Sequence, residues 1–380
     1  MRWLPSLLLL CLAVGFACGC AGKQDILIHG TPSDSVGGFA PGTLRLVNDR
    51  VRAAAQEGDI CGGVLVIRRA GETADAVSFG KLREGDAARV QADTLFDVAS
   101  LTKPLAGLPL GLLLYSAAET SDRREFISRL LSHTSQLDDE TDYASVEQKT
   151  PAQWQTISAD RIRKNGNKTV YKYANTNYAV ASFLLGERAA PLIPFLQQDV
   201  WRNSTGFSFS PGHDNVAASG FDARNDELVG TPFDPLANHL LAETKFVPLH
   251  SGLFASAPAI AEFVDRMMNS DEEEASDYQR TLRRFLFPAK AFEVQGPDGA
   301  RLHVGINGLV SPTSPPYAPE GARPGRIYYQ TGYTGCLLWV DTQAHITLVL
   351  LTNASLTDAQ ERQTKLAEDI LQILFRGMKR

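Results

Sequence analysis

Strand-like runs stand toward the two ends of this chain while its middle reads as helix and loop, so a sheet has to be assembled from segments far apart in sequence. Cys61–Ile67 is apolar and β-branched, Arg68–Thr73 reads as a turn, and Ala74–Phe79 returns as the second strand of a hairpin stopped by Gly80. Near the other end, Arg326–Thr331, Cys336–Val340 and Ile346–Leu351 are three such runs separated by short turns. Helical patterns flank both sets. Leu44–Gln56 carries Leu44, Leu46, Val47, Val51 and Ala54 and can end at Gly58, and Thr357–Phe375 turns Leu366, Ile370, Leu371, Ile373 and Leu374 toward a core. From about 119 to 290 the pattern is helix and loop: Arg123–Leu131, Tyr178–Leu185 and Ala257–Met268 are the helices, and the acidic run Asp271–Glu274 reads as a solvated turn or helix start. The expected fold is mixed α/β (α+β), an antiparallel sheet from both chain ends with terminal helices and an inserted helical lobe. A ligand site belongs in the cleft between sheet and lobe.

At 380 residues and 44% hydrophobic content the chain can bury a large core, and a formal charge of −6 gives no electrostatic reason to expect a nucleic-acid partner. Met1-Arg2-Trp3 followed by apolar Leu4–Cys18 has the pattern of a secretory signal and is short for a spanning helix. Ala17-Cys18-Gly19-Cys20-Ala21 resembles a bacterial lipobox with Cys20 as the lipidated residue, although Ala17 is a weaker start than Leu. The expected layout is a signal over 1–19, a linker over 20–41 and one domain over 42–375. Lipid on Cys20 would hold the mature protein at a membrane surface of the cell envelope; without it the protein would be freely secreted. Cys61 and Cys336, each near the start of a strand, are either two separate buried thiols or one bridge. The seven histidines are scattered, and no metal site or cofactor is expected.

Ser100-Leu101-Thr102-Lys103 is the sharpest chemical feature. Positions i and i+3 share a helix face, so the hydroxyl and the amine can meet, and a nearby base removes the barrier to serine attack. Lys103 is the one cation in the apolar run Leu101–Ala117, expected as a buried helix kinked near Pro109, and burying an amine without a partner is costly. Tyr173 and Asn175, two apart in an expected loop, can both face one cleft. Tyr329–Gly335 reads as a strand edge and turn in which Gly332 permits close approach of the backbone to a ligand, while Gln330 and Thr331 point to opposite faces.

Together, in this order and spacing, Phe96-Asp97-Val98-Ala99-Ser100-Leu101-Thr102-Lys103, Tyr173-Ala174-Asn175 and Gln330-Thr331-Gly332 resemble the serine β-lactamase and penicillin-binding (DD-peptidase) superfamily, in its class C-like branch with esterases and D-aminopeptidases. Leu130–Ser135 and His250–Phe254 resemble two structural signatures of that branch, with His133 and His250 expected as scaffold. The resemblance implies Ser100 as nucleophile, Lys103 and Tyr173 sharing proton transfers, and Asn175 orienting lysine and substrate. It implies substrate and oxyanion contacts at Gln330, Thr331, Gly332 and Tyr333, with the N–H groups of Ser100 and Tyr333 at the oxyanion positions. The implied substrate is a small ester or amide or a peptidoglycan-type peptide.

Two departures stand out. Gln330 replaces the usual Lys or His and cannot supply a positive charge to a substrate carboxylate, and Gln136 replaces a Gly whose φ is expected to disfavour a side chain. The Pro-rich stretch Ser311–Pro324 is expected as a constrained surface loop, with a pocket border as the alternative. The competing functional class is a non-catalytic binding or regulatory protein on the same fold, for which only the two glutamines speak.

Overall fold

The computed structural model describes residues 26–378 apart from 59, 85–86, 140–145, 187–191, 245, 270–275, 288–291, 296–300, 305–309, 313–315, 321 and 357–359. The signal-like N-terminus with Cys20 and the acidic run Asp271–Glu274 lie outside the described residues. The strands are β1 (Ile26–Ile28), β2 (Gly62–Arg69), β3 (Glu72–Gly80), β4 (Phe96–Asp97), β5 (Phe207–Ser208), β6 (Phe254–Ala255), β7 (Phe292–Gln295), β8 (Arg301–Val304), β9 (Ile327–Gly332), β10 (Cys336–Asp341) and β11 (Ile346–Thr352).

Six of them form one antiparallel sheet in the order β1-β3-β2-β11-β10-β9, so β2 from one chain end pairs with β11 from the other. Alternation along these strands makes two cores. Leu65, Ile67, Val77, Leu337, Trp339 and Leu348 pack under the helices Thr43–Glu57 and Gln360–Gly377, while Val64, Val66, Leu338, Val340 and Val349 face the helical lobe. Both faces are covered, so these strands read as continuous apolar runs. The helix Thr43–Glu57 begins where the Asp34 carboxylate accepts from the N–H groups of Gly42 (2.6 Å) and Leu44 (2.8 Å), and it ends at Gly58 with φ 73°. The segment expected as a linker thus supplies the edge strand β1 and this cap.

The long apolar run forms a continuous buried helix, with a tight turn at Ala99–Leu101, a widened turn at Lys103–Gly107 and a regular helix over Leu108–Ser116. The irregular turn comes before Pro109 rather than at it. Pro109 has no N–H, which leaves the Leu105 carbonyl one turn earlier without its helical donor, and the Trp201 indole N–H donates to that oxygen at 3.0 Å.

Three expectations need correction. The middle of the chain is not free of strands: β4, β6 and β5 make a three-stranded sheet whose strands of two residues are too short to leave a periodic signal. Asn175 is the first residue of the helix Asn175–Leu185 rather than a loop residue. Cys336 is a free buried thiol, whereas Cys61 is disulfide-bonded, so the two are not joined to each other and Cys61 is not a free thiol. Of the Pro-rich stretch, Ala318 and Ala322 are buried on the terminal-helix face, and the Tyr317 carbonyl accepts from Trp339 Nε1 at 2.7 Å. Those residues pack on the side of the sheet away from the lobe.

Candidate active site

The turn carrying Ser100 is held from three directions. Val98 N–H donates to the Leu253 carbonyl at 3.0 Å, Ala99 N–H donates to Asp97 Oδ1 at 2.9 Å, and Thr334 Oγ1 donates to the Asp97 carbonyl at 2.6 Å. Ala99 sits at φ 45°, a costly conformation for a residue with a side chain, and the sharp turn it makes sets Ser100 at the start of the buried helix.

Lys103 is fully buried. Its Nζ donates to Ser100 Oγ at 3.0 Å, to Asn175 Oδ1 at 2.8 Å and to the His250 carbonyl at 2.9 Å. Tyr173 OH lies 2.7 Å from the same Ser100 Oγ, and Lys103 Nζ stands 4.8 Å from the Tyr173 ring centre. One hydroxyl is therefore flanked by an amine and a phenol, the arrangement a serine needs to lose its proton during attack and to return one to a leaving group. Tyr173 is 36% exposed, whereas Lys103 is fully buried, so of the two groups on Ser100 Oγ the phenol is the one open to solvent.

His133 builds the wall behind Tyr173, and its buried ring stacks on the Tyr173 ring at 4.5 Å. Its Nδ1 accepts from Ala174 N–H at 3.3 Å and faces the Asn177 amide nitrogen at 3.0 Å. Burial, and after it the charge of Lys103, holds the imidazole well below its ordinary pKa, so it is a neutral acceptor at pH 7. His133 and Gln136 both adopt positive φ, 55° and 61°. The glutamine thus takes the conformation expected of the glycine, and Asn165 Nδ2 reaches its Oε1 at 3.2 Å.

Gln330 pairs with Leu338 and shares its lobe-facing side; it is 7% exposed, and its Nε2 donates to the Thr331 carbonyl at 2.9 Å. Thr331 is exposed, and Tyr333, 62% exposed, stacks on Phe233 at 5.3 Å. The close approach at Gly332 is to the protein itself, since a Cβ there would lie 2.6 Å from the Val98 carbonyl oxygen. Arg326, the cation next to this strand, is held by both Asp341 oxygens at 2.6 to 3.2 Å.

Three parts of the site had no sequence signal as functional groups: the His250 carbonyl, Asp234, which lies 3.0 Å from His250 Nε2, and the buried Asp97. Among the described residues there is no cluster of three or more His, Cys, Asp or Glu able to hold a metal.

Burial pushes the Asp97 carboxyl up to about 6, against the hydrogen bonds from Phe233 and Ala99, and burial likewise raises Asp75 to about 6 on the other side of the sheet. A folded pKa above the unfolded value means the folded state holds extra protons between them, so stability falls as pH rises from about 4 to 6. Asp97→Asn should remove its share of that fall, at most about 3 kcal/mol. Urea unfolding at pH 4, 5, 6 and 7 checks this, and a variant with the parent's slope would show that Asp97 is not its source.

The sequence model of one protein family, described as Beta-lactamase, matches residues 126–372, a range that begins after Ser100 and Lys103. No curated protein matches the chain. Among solved structures, the chain is similar to EstCE1, a hydrolase with promiscuous acyltransferase activity (16% identity, 88% of this chain and 98% of that one, TM-score 0.59). It is similar to simvastatin synthase LovD from Aspergillus terreus (16%, 88% and 98%, TM-score 0.60) and to a family VIII carboxylesterase (14%, 92% and 99%, TM-score 0.59).

Proposed function

This chain belongs to the beta-lactamase family, and on that premise we propose that it is an exported serine hydrolase that forms an acyl-enzyme on Ser100 and prefers neutral esters. The observation that carries the reading is the convergence of Lys103 Nζ and Tyr173 OH on Ser100 Oγ, at 3.0 and 2.7 Å. In the forward step Ser100 Oγ attacks the carbonyl carbon and its proton passes to the Lys103–Tyr173 pair. Tyr173, open to solvent, returns a proton to the leaving alcohol. Water then attacks the acyl carbon, gives its proton to the same pair, and Ser100 recovers its own. Asn175 holds the lysine, and the N–H groups of Ser100 and Tyr333 are assigned to the developing oxyanion.

The test is incubation of the purified chain with a fluorescent penicillin and a panel of activated esters, with mass spectrometry for an adduct on Ser100. Absence of both adduct and turnover would favour the non-catalytic reading.

The ester preference rests on Gln330, which is neutral, and on Arg326, which is committed to Asp341. Gln330→Lys should raise kcat/KM roughly 10- to 150-fold for a carboxylate-bearing β-lactam or D-Ala peptide, the equivalent of about 1.5–3 kcal/mol for one charged hydrogen bond. A neutral ester with a similar acyl group should change much less. Equal changes for both substrates would mean that Gln330 acts on cleft shape. A parent already faster on the charged substrate, with no gain from lysine, would overturn the preference and leave Arg323 as the source of charge.

A further inference from the structure

Lys103 has three acceptors, and one of them, the His250 carbonyl at 2.9 Å, belongs to the backbone and is only as well placed as the segment carrying it. That segment is pinned on both sides: Leu249 N–H donates to Ser182 Oγ at 2.9 Å and Leu253 N–H donates to Thr102 Oγ1 at 3.1 Å. His250 itself is fully buried, and its one side-chain partner among the described residues is Asp234, with Nε2 and Oδ1 3.0 Å apart. Asp234 has a second duty, because its Oδ1 also accepts from Ala237 N–H at 2.9 Å and caps the short helix Pro235–His239. The residue before it, Phe233, donates its N–H to Asp97 Oδ2 at 2.8 Å and stacks on Tyr333. Burial alone would raise the Asp234 carboxyl, but the His250 charge and hydrogen bond, the Ala237 N–H and the charge of Lys103 together hold it down at about 2.

We propose that Asp234 is a positioning residue for Lys103: by holding the His250 imidazole it locks the carbonyl oxygen that accepts from the lysine Nζ and so keeps that nitrogen aimed at Ser100 Oγ. The inference rests on the reading of Ser100 and Lys103 as the reacting pair. The bland alternative is that Asp234 only caps its short helix.

Three side chains separate the two. Asparagine can accept from His250 and cap the helix; serine is a good cap but too short to serve both partners; alanine does neither. With an activated neutral ester, Asp234→Ser should lower kcat about 10-fold with KM within about twofold, since misaiming a reacting group costs rate rather than binding. Asp234→Asn should restore kcat to within about threefold of the parent. Amide hydrogen exchange over 249–253 in the full chain should rise in Asp234→Ser and stay near the parent in Asp234→Asn, a readout that needs no substrate. A serine variant with the parent's kcat, or one whose exchange over 249–253 does not change, overturns the proposal. If the parent turns over nothing, the hydrolase reading fails separately, and the exchange comparison alone decides whether Asp234 holds the His250 segment. If Asp234→Ala fails to fold, the serine and asparagine pair still carries the comparison.

Discussion

Ser100→Ala is expected to abolish covalent adducts with penicillin and with activated esters and to lower kcat/KM on the order of 10⁴-fold or more. The size follows from losing the covalent route altogether: Lys103 and Tyr173 both converge on the oxygen that is deleted, and neither can substitute for it. The fold should survive, because Lys103 Nζ keeps Asn175 Oδ1 and the His250 carbonyl as partners and the turn is held by the Leu253 carbonyl and the Asp97 carboxylate. Stability should therefore drop by no more than about 1–2 kcal/mol, the scale of one lost hydrogen bond. Intact-mass spectrometry, the ester panel and a melting curve on the same sample read all three quantities. A Ser100→Ala protein that still acquires the adduct would place the nucleophile elsewhere.

Gly332→Ala should cost both stability and rate. A Cβ at this position would lie 2.6 Å from the Val98 carbonyl oxygen and 3.2 Å from the Cys336 Cβ, and a backbone oxygen cannot swing away as a flexible side chain can. Relief requires either β9 to lift from the sheet edge or the Val98–Ser100 turn to move. The expected loss is about 1–3 kcal/mol for overpacking, with kcat/KM down about 100-fold if Ser100 shifts by an ångström. Thermal unfolding and ester kinetics together discriminate between two uses of this glycine. A lower Tm with lower kcat is the expected result. An unchanged Tm with only a higher KM would mean that the glycine serves ligand approach, as the sequence alone suggests.

Much of this architecture is legible from local chemistry. Leu44, Val47 and Val51 recur at helical spacing above one sheet face, and the expected helix over Leu44–Gln56 falls within one residue of the observed Thr43–Glu57. The late strands are equally plain, because β10 and β11 are buried on both faces and their apolar runs are unbroken. The Ser100–Lys103 contact could be anticipated from i, i+3 geometry, which holds in any helix. Gln330 was recognisable as a departure, since the missing charge belongs to the residue type and not to its surroundings.

Groups whose meaning depends on identity and near neighbours are readable from the chain alone: the hydroxyl and amine one helical turn apart, the apolar stripes, the neutral amide of Gln330. Which distant groups meet them is set by the packing of the folded chain. Tyr173 reaches Ser100 Oγ and Asn175 reaches Lys103 Nζ from more than seventy residues away, Asp97 is buried under the Phe233 N–H, and Gly332 closes on Val98 rather than on a ligand. The third acceptor of Lys103 is a peptide carbonyl, a group every residue carries, so no residue type marks it. Its position comes from the burial of His250 against Asp234, and burial is a property of the packed chain, set by long-range contacts that no local pattern encodes.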